Sequence, residues 1–440
     1  MDMKALGSIL QQNGVVCSGG ANFPIYTKFD ERTETIILNC AQYEPLIRVQ
    51  TQLLDRYAQE IIGTFSMLGE ASGAKEIIIG MNESDKDTIE TVEDVLEDYP
   101  EVTLRLYDGS YPSGDEVVLI YELTGKVIGP NSSPAELGIS VFTVESIYNV
   151  YRALMQEKPV TDKVVSVLGE VSNPVTVRVP LGTSLEEVVR LAGGITCDHP
   201  VYFVGGPMWG RIGKKIQPVT KSTDAVLILP EEHIVVQKKR SNSPVELKRT
   251  AASCCQCMVC TDLCPRNLLG HPVEPHKFMQ AASYQDVQNP DIFINTMFCS
   301  SCGLCEMYSC VQGLSPRTLM AEYKTGLRKH GISKPTVEPA PVDEERKYRK
   351  VPMERLTARL DLLQYDKADE LDEAMIMVKK VKIPLNQHIG APASAIVERG
   401  DYVTEGQMIA EPSKGMSAAI HASIDGKVTE VNKKFIILEH

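Results

Sequence analysis

Two cysteine runs decide the architecture of this 440-residue chain: Cys254-Cys255-Gln256-Cys257-Met258-Val259-Cys260-Thr261-Asp262-Leu263-Cys264-Pro265 and Cys299-Ser300-Ser301-Cys302-Gly303-Leu304-Cys305. The first has the spacing Cys-x2-Cys-x2-Cys-x3-Cys-Pro, and the second repeats Cys-x2-Cys-x2-Cys before Cys310, which precedes Val311. Such spacing wraps three thiolates around one face of an iron–sulfur cubane. The sequence therefore predicts two [4Fe-4S] clusters and one-electron transport between them.

The fourth cysteine of each run points away from its own three, and in a two-cluster protein it ligates the other cluster. The prediction is an interleaved pair of ligand sets: Cys254, Cys257, Cys260 and Cys310 for the first cluster, and Cys264, Cys299, Cys302 and Cys305 for the second. Structural zinc is an alternative, although zinc sites seldom use this spacing twice over. A disulfide framework is another, and it is typical of short secreted chains.

Composition limits the functional classes. The net charge of −13 argues against nucleic acid and against an anionic membrane surface as partners. No apolar run approaches the roughly 18 residues that a membrane span needs, and Met1-Asp2-Met3-Lys4 does not open a secretion signal. Twelve cysteines without an export signal favour a reducing compartment. We therefore expect a cytoplasmic protein with no direct membrane span.

Hydrophobic periodicity predicts an α/β multidomain chain. Strand and helix patterns alternate early, as in a doubly wound Rossmann-like sheet, and a hairpin around Asn173-Pro174 followed by a short helix indicates a small β-grasp unit. Short β runs and glycine turns at the end indicate an all-β module. The predicted divisions are 1–158 (Rossmann-like), 159–240 (β-grasp), 241–333 (helical, ferredoxin-like, with both clusters), 334–375 (linker) and 376–440 (all-β).

The chain resembles the RnfC-like family, and its domain order resembles that of the family's cobalamin reductases. The resemblance rests on these segments: Gly19–Pro24, Asn39–Pro45, Tyr111–Glu116, Leu123–Lys126, Leu168–Val171, Gly205–Met208, both cysteine runs, and Gln387–Pro392. It implies an FMN domain similar to that of the NADH-oxidising subunit of respiratory complex I, an SLBB β-grasp domain, a two-cluster domain, and a lipoyl-like barrel-sandwich module.

The resemblance also implies a flavin and nicotinamide site. Its expected cofactor-binding residues are Gly19, Gly20, Ala21, Asn22, Phe23, Lys28, Asn39, Gln42, Tyr43, Glu44, Tyr111, Gly114 and Glu116, with Glu44 also as the catalytic residue. Glycines in the first loop allow backbone N–H groups to approach a phosphate or a flavin ring closely. The chain departs from the family pattern at Asn22, where glycine is usual, and at Gln42 and Gln50, where acids are usual.

These observations lead to an oxidoreductase subunit that passes electrons from NADH through FMN and two [4Fe-4S] clusters to a partner redox protein in a multi-subunit complex. FMN converts a two-electron hydride into single electrons that clusters accept. By resemblance the partner is a corrinoid enzyme, a methylenetetrahydrofolate reductase or a proline reductase. The alternative is an NADH-independent relay that has lost the nicotinamide site, which the three departures favour. A third interpretation is a structural scaffold in which the clusters only stabilise the fold.

Overall fold

The computed structural model describes residues 3–18, 22–29, 32–286, 288–367, 370–374 and 376–440. The predicted α/β multidomain class is confirmed, with a parallel sheet, a β-grasp sheet, a helical cysteine-rich region and a C-terminal all-β module. No helix in this part of the chain combines the length and apolar character needed to cross a bilayer.

The first domain is a parallel sheet covered by helices on both faces. Its elements are α1 (Met3–Gln12), β1 (Thr35–Asn39), α2 (Val49–Ser72), β2 (Glu76–Asn82), α3 (Lys86–Leu96), β3 (Val102–Tyr107), β4 (Ser110–Tyr111), α4 (Glu116–Thr124), β5 (Ile139–Thr143) and α5 (Val144–Met155). The strand order is β3-β2-β1-β5, and all three pairings are parallel. The order reverses between β1 and β5, and ligands of such sheets bind at the carboxyl ends of strands at this switch point.

The second domain has the predicted hairpin and helix. Its elements are β6 (Asp162–Gly169), β7 (Val175–Pro180), α6 (Leu185–Leu191), β8 (Pro200–Val204), β9 (Arg211–Ile212), β10 (Ala225–Pro230) and α7 (Ile234–Lys239). Strands β6 and β7 pair antiparallel. Ser184 caps α6 through a capping box with Glu187, as its spacing predicts. The loop between β8 and β9, residues 205–210, faces the first domain and the cysteine region.

The cysteine region consists of short helices that leave its cysteines in loops or at helix ends. Its helices are α8 (Ser243–Ser253), α9 (Val259–Asp262), α10 (Pro265–Leu268), α11 (Pro275–Tyr284), α12 (Asp291–Ile294) and α13 (Pro316–Lys329), with a π-helix at Cys305–Ser309. Pro265 and Pro316 stand in the first turn of their helices, where a missing N–H costs no hydrogen bond.

The segment 334–375, predicted as a linker, contributes strands to two sheets. It contains β11 (Val351–Pro352), α14 (Met353–Arg359) and β12 (Leu371–Asp372). Strand β11 pairs with β4 of the first domain, and β12 pairs with β7 of the second. This segment therefore ties the two domains together as well as connecting the cysteine region to the C-terminal module.

The C-terminal module has two antiparallel sheets around its own apolar core. Its strands are β13 (Lys380–Pro384), β14 (Ser394–Ala395), β15 (Tyr402–Val403), β16 (Met408–Glu411), β17 (Ile420–His421), β18 (Gly426–Val431) and β19 (Phe435–Glu439). The sheet orders are β13-β19-β18-β15 and β14-β16-β17.

The C-terminal module packs on the start of the first domain through Lys221 of the second. The buried Lys221 Nζ donates to the carbonyls of Gly14, at 2.6 Å, and Ala419, at 3.2 Å. Burial lowers the pKa of Lys221 to about 7. The backbone N–H of Ile389 donates to the Asn22 carbonyl at 3.1 Å. The module therefore contacts the end of the predicted flavin loop.

Candidate redox site

One cavity gathers four cysteines that the spacing assigned to the first cluster. Cys254, Cys257, Cys260 and Cys310 line it, together with the neighbouring Cys255. The other lining residues are Gln256, Met258, His276, Met279, Val311, Gln312, Leu314 and Pro316, none of which is Lys, Arg, Asp or Glu. Met258 is 45% exposed and Val311 is 64% exposed. The lining of this cavity is therefore free of these charged residues and partly exposed.

A second cavity gathers the other four cysteines. Cys264, Cys299, Cys302 and Cys305 line it, and Cys264, Cys302 and Cys305 are buried. Arg266 and Arg317 also line this cavity. Each cavity is therefore lined by one of the two sets of cysteines expected from the sequence, with Cys264 of the first run in the second cavity and Cys310 in the first. Cluster ligation by these cysteines stays a prediction.

The two runs share a backbone pattern that explains how they curl around their cavities. The second residue after the first cysteine has a left-handed φ in each run, 54° at Gln256 and 63° at Ser301. The fourth residue after it is left-handed as well, with φ of 65° at Met258 and 85° at Gly303. Three of these four residues are not glycine, so the conformation costs free energy that the surroundings must supply.

Backbone N–H groups already point at two of the thiols. Ser301 N lies 3.3 Å from Cys299 Sγ, and Leu314 N lies 3.2 Å from Cys310 Sγ. Hydrogen bonds to cluster sulfurs are one of the protein's means of setting a reduction potential. The donor sets, with four thiols per cavity and N–H groups directed at sulfur, fit [4Fe-4S] clusters.

Ser18, which precedes the predicted flavin loop, lies at the switch point of the parallel sheet. Gly19, Gly20 and Ala21 fall outside the described residues, but both flanks of the loop are placed. Ser18 N donates to Ser146 Oγ at 3.0 Å, and Ser18 Oγ lies 3.1 Å from Thr143 Oγ1 at the end of β5. Asn22, on the other flank, has φ of 49°, a conformation that glycine adopts without strain. Phe23 follows and accepts from Cys17 N at 2.8 Å.

Lys28 is neutralised within the protein. Its Nζ donates to Glu116 Oε1 and to the Val141 carbonyl, both at 2.8 Å. Burial opposes the charge of Lys28, but the Glu116 carboxylate raises the pKa of this lysine above its ordinary value. Lys28 and Glu116, both predicted to bind the cofactor, therefore form an ion pair beside β5.

Asn39 and Gly114 hold two loops of the candidate flavin site together. Asn39 Oδ1 accepts from Ala41 N at 2.9 Å, and Asn39 Nδ2 donates to the Gly114 carbonyl at 3.2 Å. A Cβ at Gly114 would lie 2.3 Å from Tyr43 Cβ and 2.9 Å from Tyr43 Cα. Only glycine allows the loop after β1 to approach the loop before α4 so closely. Gln42 lies half-buried in the first of these loops.

Tyr43 and Glu44 turn toward the second domain. The Tyr43 hydroxyl donates to Asp224, which also pairs with the buried Lys163. Glu44 is 1% exposed, and its carboxylate accepts from Met208 N at 2.9 Å and from Trp209 N. Burial raises the pKa of Glu44 to about 7 although these N–H groups oppose the rise. The catalytic role of Glu44 stays a prediction, and both its oxygens contact the loop 205–210.

Tyr111 extends to the second cluster cavity. Its hydroxyl donates to the Cys302 carbonyl at 2.6 Å, and the residue is 3% exposed. Arg266, which lines that cavity, donates to both carboxylate oxygens of Asp115 at 2.8 and 2.9 Å. The sequence does not predict this connection between the first domain and the cysteine region. Residue spacing and periodicity carry no information on contacts between residues that are 151 or 191 positions apart.

Two buried polar atoms near the switch point have no hydrogen-bond partner among the described residues. These are Gln50 Nε2 and Asn22 Oδ1. Gln50 is 4% exposed, and its other amide atom, Oε1, accepts from Glu145 N at the start of α5. An unpaired buried polar atom costs about 1–3 kcal/mol. A bound group with hydrogen-bonding atoms at this end of the sheet would satisfy them, so the residues present fit a flavin.

Models of four known domain families match the chain in the order of the observed domains. They are the Nuo51 FMN-binding domain at residues 10–152, the SLBB domain at 164–211, the 4Fe-4S dicluster domain at 253–315 and the RnfC barrel sandwich hybrid domain at 366–439. Cobalamin reductase PduS of Salmonella typhimurium is 37% identical over 425 residues, covering 96% of this chain and 94% of the relative. The chain belongs to the RnfC-like family that includes PduS.

Other comparisons agree with this family. PduS of Citrobacter freundii is 36% identical over 439 residues, covering 99% of this chain and 96% of the relative. The RnfC-like chain also shares its fold with the NAD+-reducing [NiFe]-hydrogenase in the H2-reduced state (TM-score 0.52, 18% identity) and in the air-oxidised state (TM-score 0.50, 17% identity). These matches cover 77% and 84% of this chain, and 64% and 68% of the hydrogenase chains.

The family and the domain content establish the cofactors in general terms. This RnfC-like chain is an electron-transfer protein with an FMN domain and a 4Fe-4S dicluster domain. The predicted flavin and cluster cofactors are confirmed at this level.

Proposed function

We propose that the chain is an NADH-dependent reductase subunit that delivers single electrons to a corrinoid, through FMN and then through the second and the first cluster. The observation that carries the proposal is the placement of the two four-cysteine cavities. The second is joined to the flavin domain by the contact between Tyr111 and Cys302. The first lies beside the exposed residues Met258 and Val311.

The proposed ligands follow from the cavity linings. Cys254, Cys257, Cys260 and Cys310 hold the first cluster, and Cys264, Cys299, Cys302 and Cys305 hold the second. FMN, when bound, supplies the exchange between a hydride and two single electrons. The residues of this chain that hold it are the Gly19–Asn22 loop and the loops joined by Asn39 and Gly114. Lys28 and Glu116, which form an ion pair beside β5, would contribute no net charge to the site.

The acceptor is proposed from the relatives, whose names describe cobalamin reductases. The electron leaves beside the exposed Met258 and Val311 of the first cavity, where a partner redox protein or the corrinoid itself can approach. A cytoplasmic location belongs to the same proposal, because thiolates that bind clusters require a reducing compartment.

A second candidate function is the NADH-independent relay. Asn22, Gln42 and Gln50 favour it, because these side chains stand where the family has glycine or an acid. The backbone N–H of Glu145 donates to Gln50 Oε1. The other amide atom, Gln50 Nε2, is a hydrogen-bond donor, whereas an acid at this position would offer an acceptor.

Anaerobic stopped-flow mixing with NADH separates the two candidates. The reductase proposal predicts that NADH bleaches the flavin absorbance and that cluster reduction follows. If dithionite reduces the clusters while saturating NADH leaves the flavin oxidised, the NADH-dependent proposal is wrong and the relay replaces it. Release of fluorescent FMN from acid-precipitated protein is the control that flavin was present.

A further inference from the structure

The loop 205–210 of the second domain lies between the flavin domain and the second cluster cavity. On one side, Glu44 accepts hydrogen bonds from Met208 N and Trp209 N. Gly206 has no room for a side chain, because a Cβ there would lie 2.6 Å from the Glu44 carboxylate carbon. The loop is therefore seated directly on Glu44.

On its other side the same loop touches the second cluster's segment. Met208 is fully buried, and its Cε lies near Gly303, 3.5 Å from where a Cβ on that glycine would stand. Burial raises the pKa of Tyr111, and the nearby Trp209 side chain opposes that rise. The Tyr111 hydroxyl donates to the Cys302 carbonyl at 2.6 Å. Lys239 Nζ donates to the carbonyls of Met208 and Gly210, at 2.6 and 2.8 Å. The loop thus meets Cys302 through Tyr111 and Gly303 through Met208.

The burial of Glu44 calls for an explanation. A carboxylate with 1% exposure is costly to bury unless it is hydrogen-bonded and compensated by positive charge. Here two backbone N–H groups bind it, and the positive charges of Lys239 and Arg317 act on it. Both oxygens point at the loop 205–210, which fixes the position of the loop against Tyr111.

We propose that Glu44 is a positioning residue whose carboxylate holds the loop 205–210 against Tyr111. Together, Tyr111 and this loop form the packed contact across which electrons pass between the flavin domain and the second cluster. This inference rests on the proposed function, in which Cys302 ligates that cluster. The bond from Tyr111 to the Cys302 carbonyl also fixes the backbone that carries the ligand.

The test uses full-length, anaerobically purified Glu44→Gln and Tyr111→Phe. Glu44→Gln replaces one acceptor oxygen by an amide that cannot accept, and Tyr111→Phe removes only the hydroxyl. We expect full iron and FMN content in both. We also expect an altered electron paramagnetic resonance signal for the second cluster with the first unchanged. Electron transfer after flash reduction of the flavin should be slowed by roughly ten- to a hundredfold, because a misplacement of about 1 Å can cost about a hundredfold in rate.

The matched control is Glu187→Gln, in the same domain, where glutamine keeps the capping box of α6. It should change neither the signal nor the rate. A Glu44→Gln protein with a wild-type second-cluster signal and transfer rate overturns the proposal. A Glu44→Gln protein that slows only flavin reduction by NADH also overturns the proposal, because Glu44 then acts on hydride transfer from NADH and not on transfer to the second cluster. If Glu44→Gln does not fold, Tyr111→Phe decides by the same readouts.

A further variant distinguishes failure of this inference from failure of the proposed function. Cys302→Ala should remove the second cluster. If Cys302→Ala keeps the full wild-type iron content, the ligand assignment fails, and the positioning role fails with it. If Cys302→Ala loses that cluster while Glu44→Gln and Tyr111→Phe behave as wild type, only the positioning role fails.

Discussion

Cys264→Ala should lose the second cluster and keep the first, although Cys264 belongs to the first cysteine run. The reason is that the Cys264 side chain lines the cavity formed by Cys299, Cys302 and Cys305. Cys310→Ala should show the reverse, because Cys310 lines the cavity of the first run. Each variant should retain about four of roughly eight irons, which is one cubane. Iron and sulfide analysis, with the electron paramagnetic resonance signal of the remaining cluster, measures this.

The control is Cys197→Ala, which replaces a cysteine outside both cavities. It should retain both clusters. The signal that remains in Cys264→Ala should be the one that disappears in Cys254→Ala. If Cys264→Ala and Cys254→Ala instead lose the same signal, each run holds its own cluster, and the interleaved assignment is wrong.

Gly114→Ala should lose most of its FMN. The added Cβ would stand 2.3 Å from Tyr43 Cβ and 2.9 Å from Tyr43 Cα, and the second contact is with backbone that cannot rotate away. The loop after β1 must then shift away from the loop before α4 and break the hydrogen bond from Asn39 to the Gly114 carbonyl. Overpacking of this kind costs about 1–3 kcal/mol of folding free energy. Acid-released flavin fluorescence per chain measures the loss.

Gly326→Ala is the matched control for this substitution. Gly326 lies in α13, and nothing lies within 4 Å of a Cβ added there. Alanine at that position should leave FMN content unchanged and raise stability by up to about 1 kcal/mol through helix propensity. If Gly114→Ala binds FMN as well as Gly326→Ala does, the two loops joined by Asn39 do not form the flavin site.

Local sequence signals predicted much of this molecule. Alternating strand and helix patterns predicted the parallel sheet of the first domain, because strands buried on both faces need continuous hydrophobic sequence. The spacing of Ser184 and Glu187 predicted a capping box that is present. The cysteine spacing also predicts that Cys264 and Cys310 each join the cysteines of the other run, because short spacers leave three thiols on one side and the fourth on the other. Both residues line the expected cavities, and their role as cluster ligands stays a prediction.

Long-range contacts could not be predicted in the same way. Glu44 was predicted as a catalytic residue from its motif, whereas its contacts are to Met208 and Trp209 of another domain. The prolines and charges of residues 334–375 predict a linker. The segment nevertheless contains two strands of two residues each. Such strands have no hydrophobic period of their own and form only where β4 and β7 offer free edges.

The most direct test of the account is the cofactor content of the anaerobically purified, full-length wild-type chain. Two cubanes and a flavin predict about eight irons, about eight acid-labile sulfides and about one FMN per chain. Zinc in place of iron, or iron without sulfide, would contradict the assignment of the two cavities and with it the proposed path of electrons.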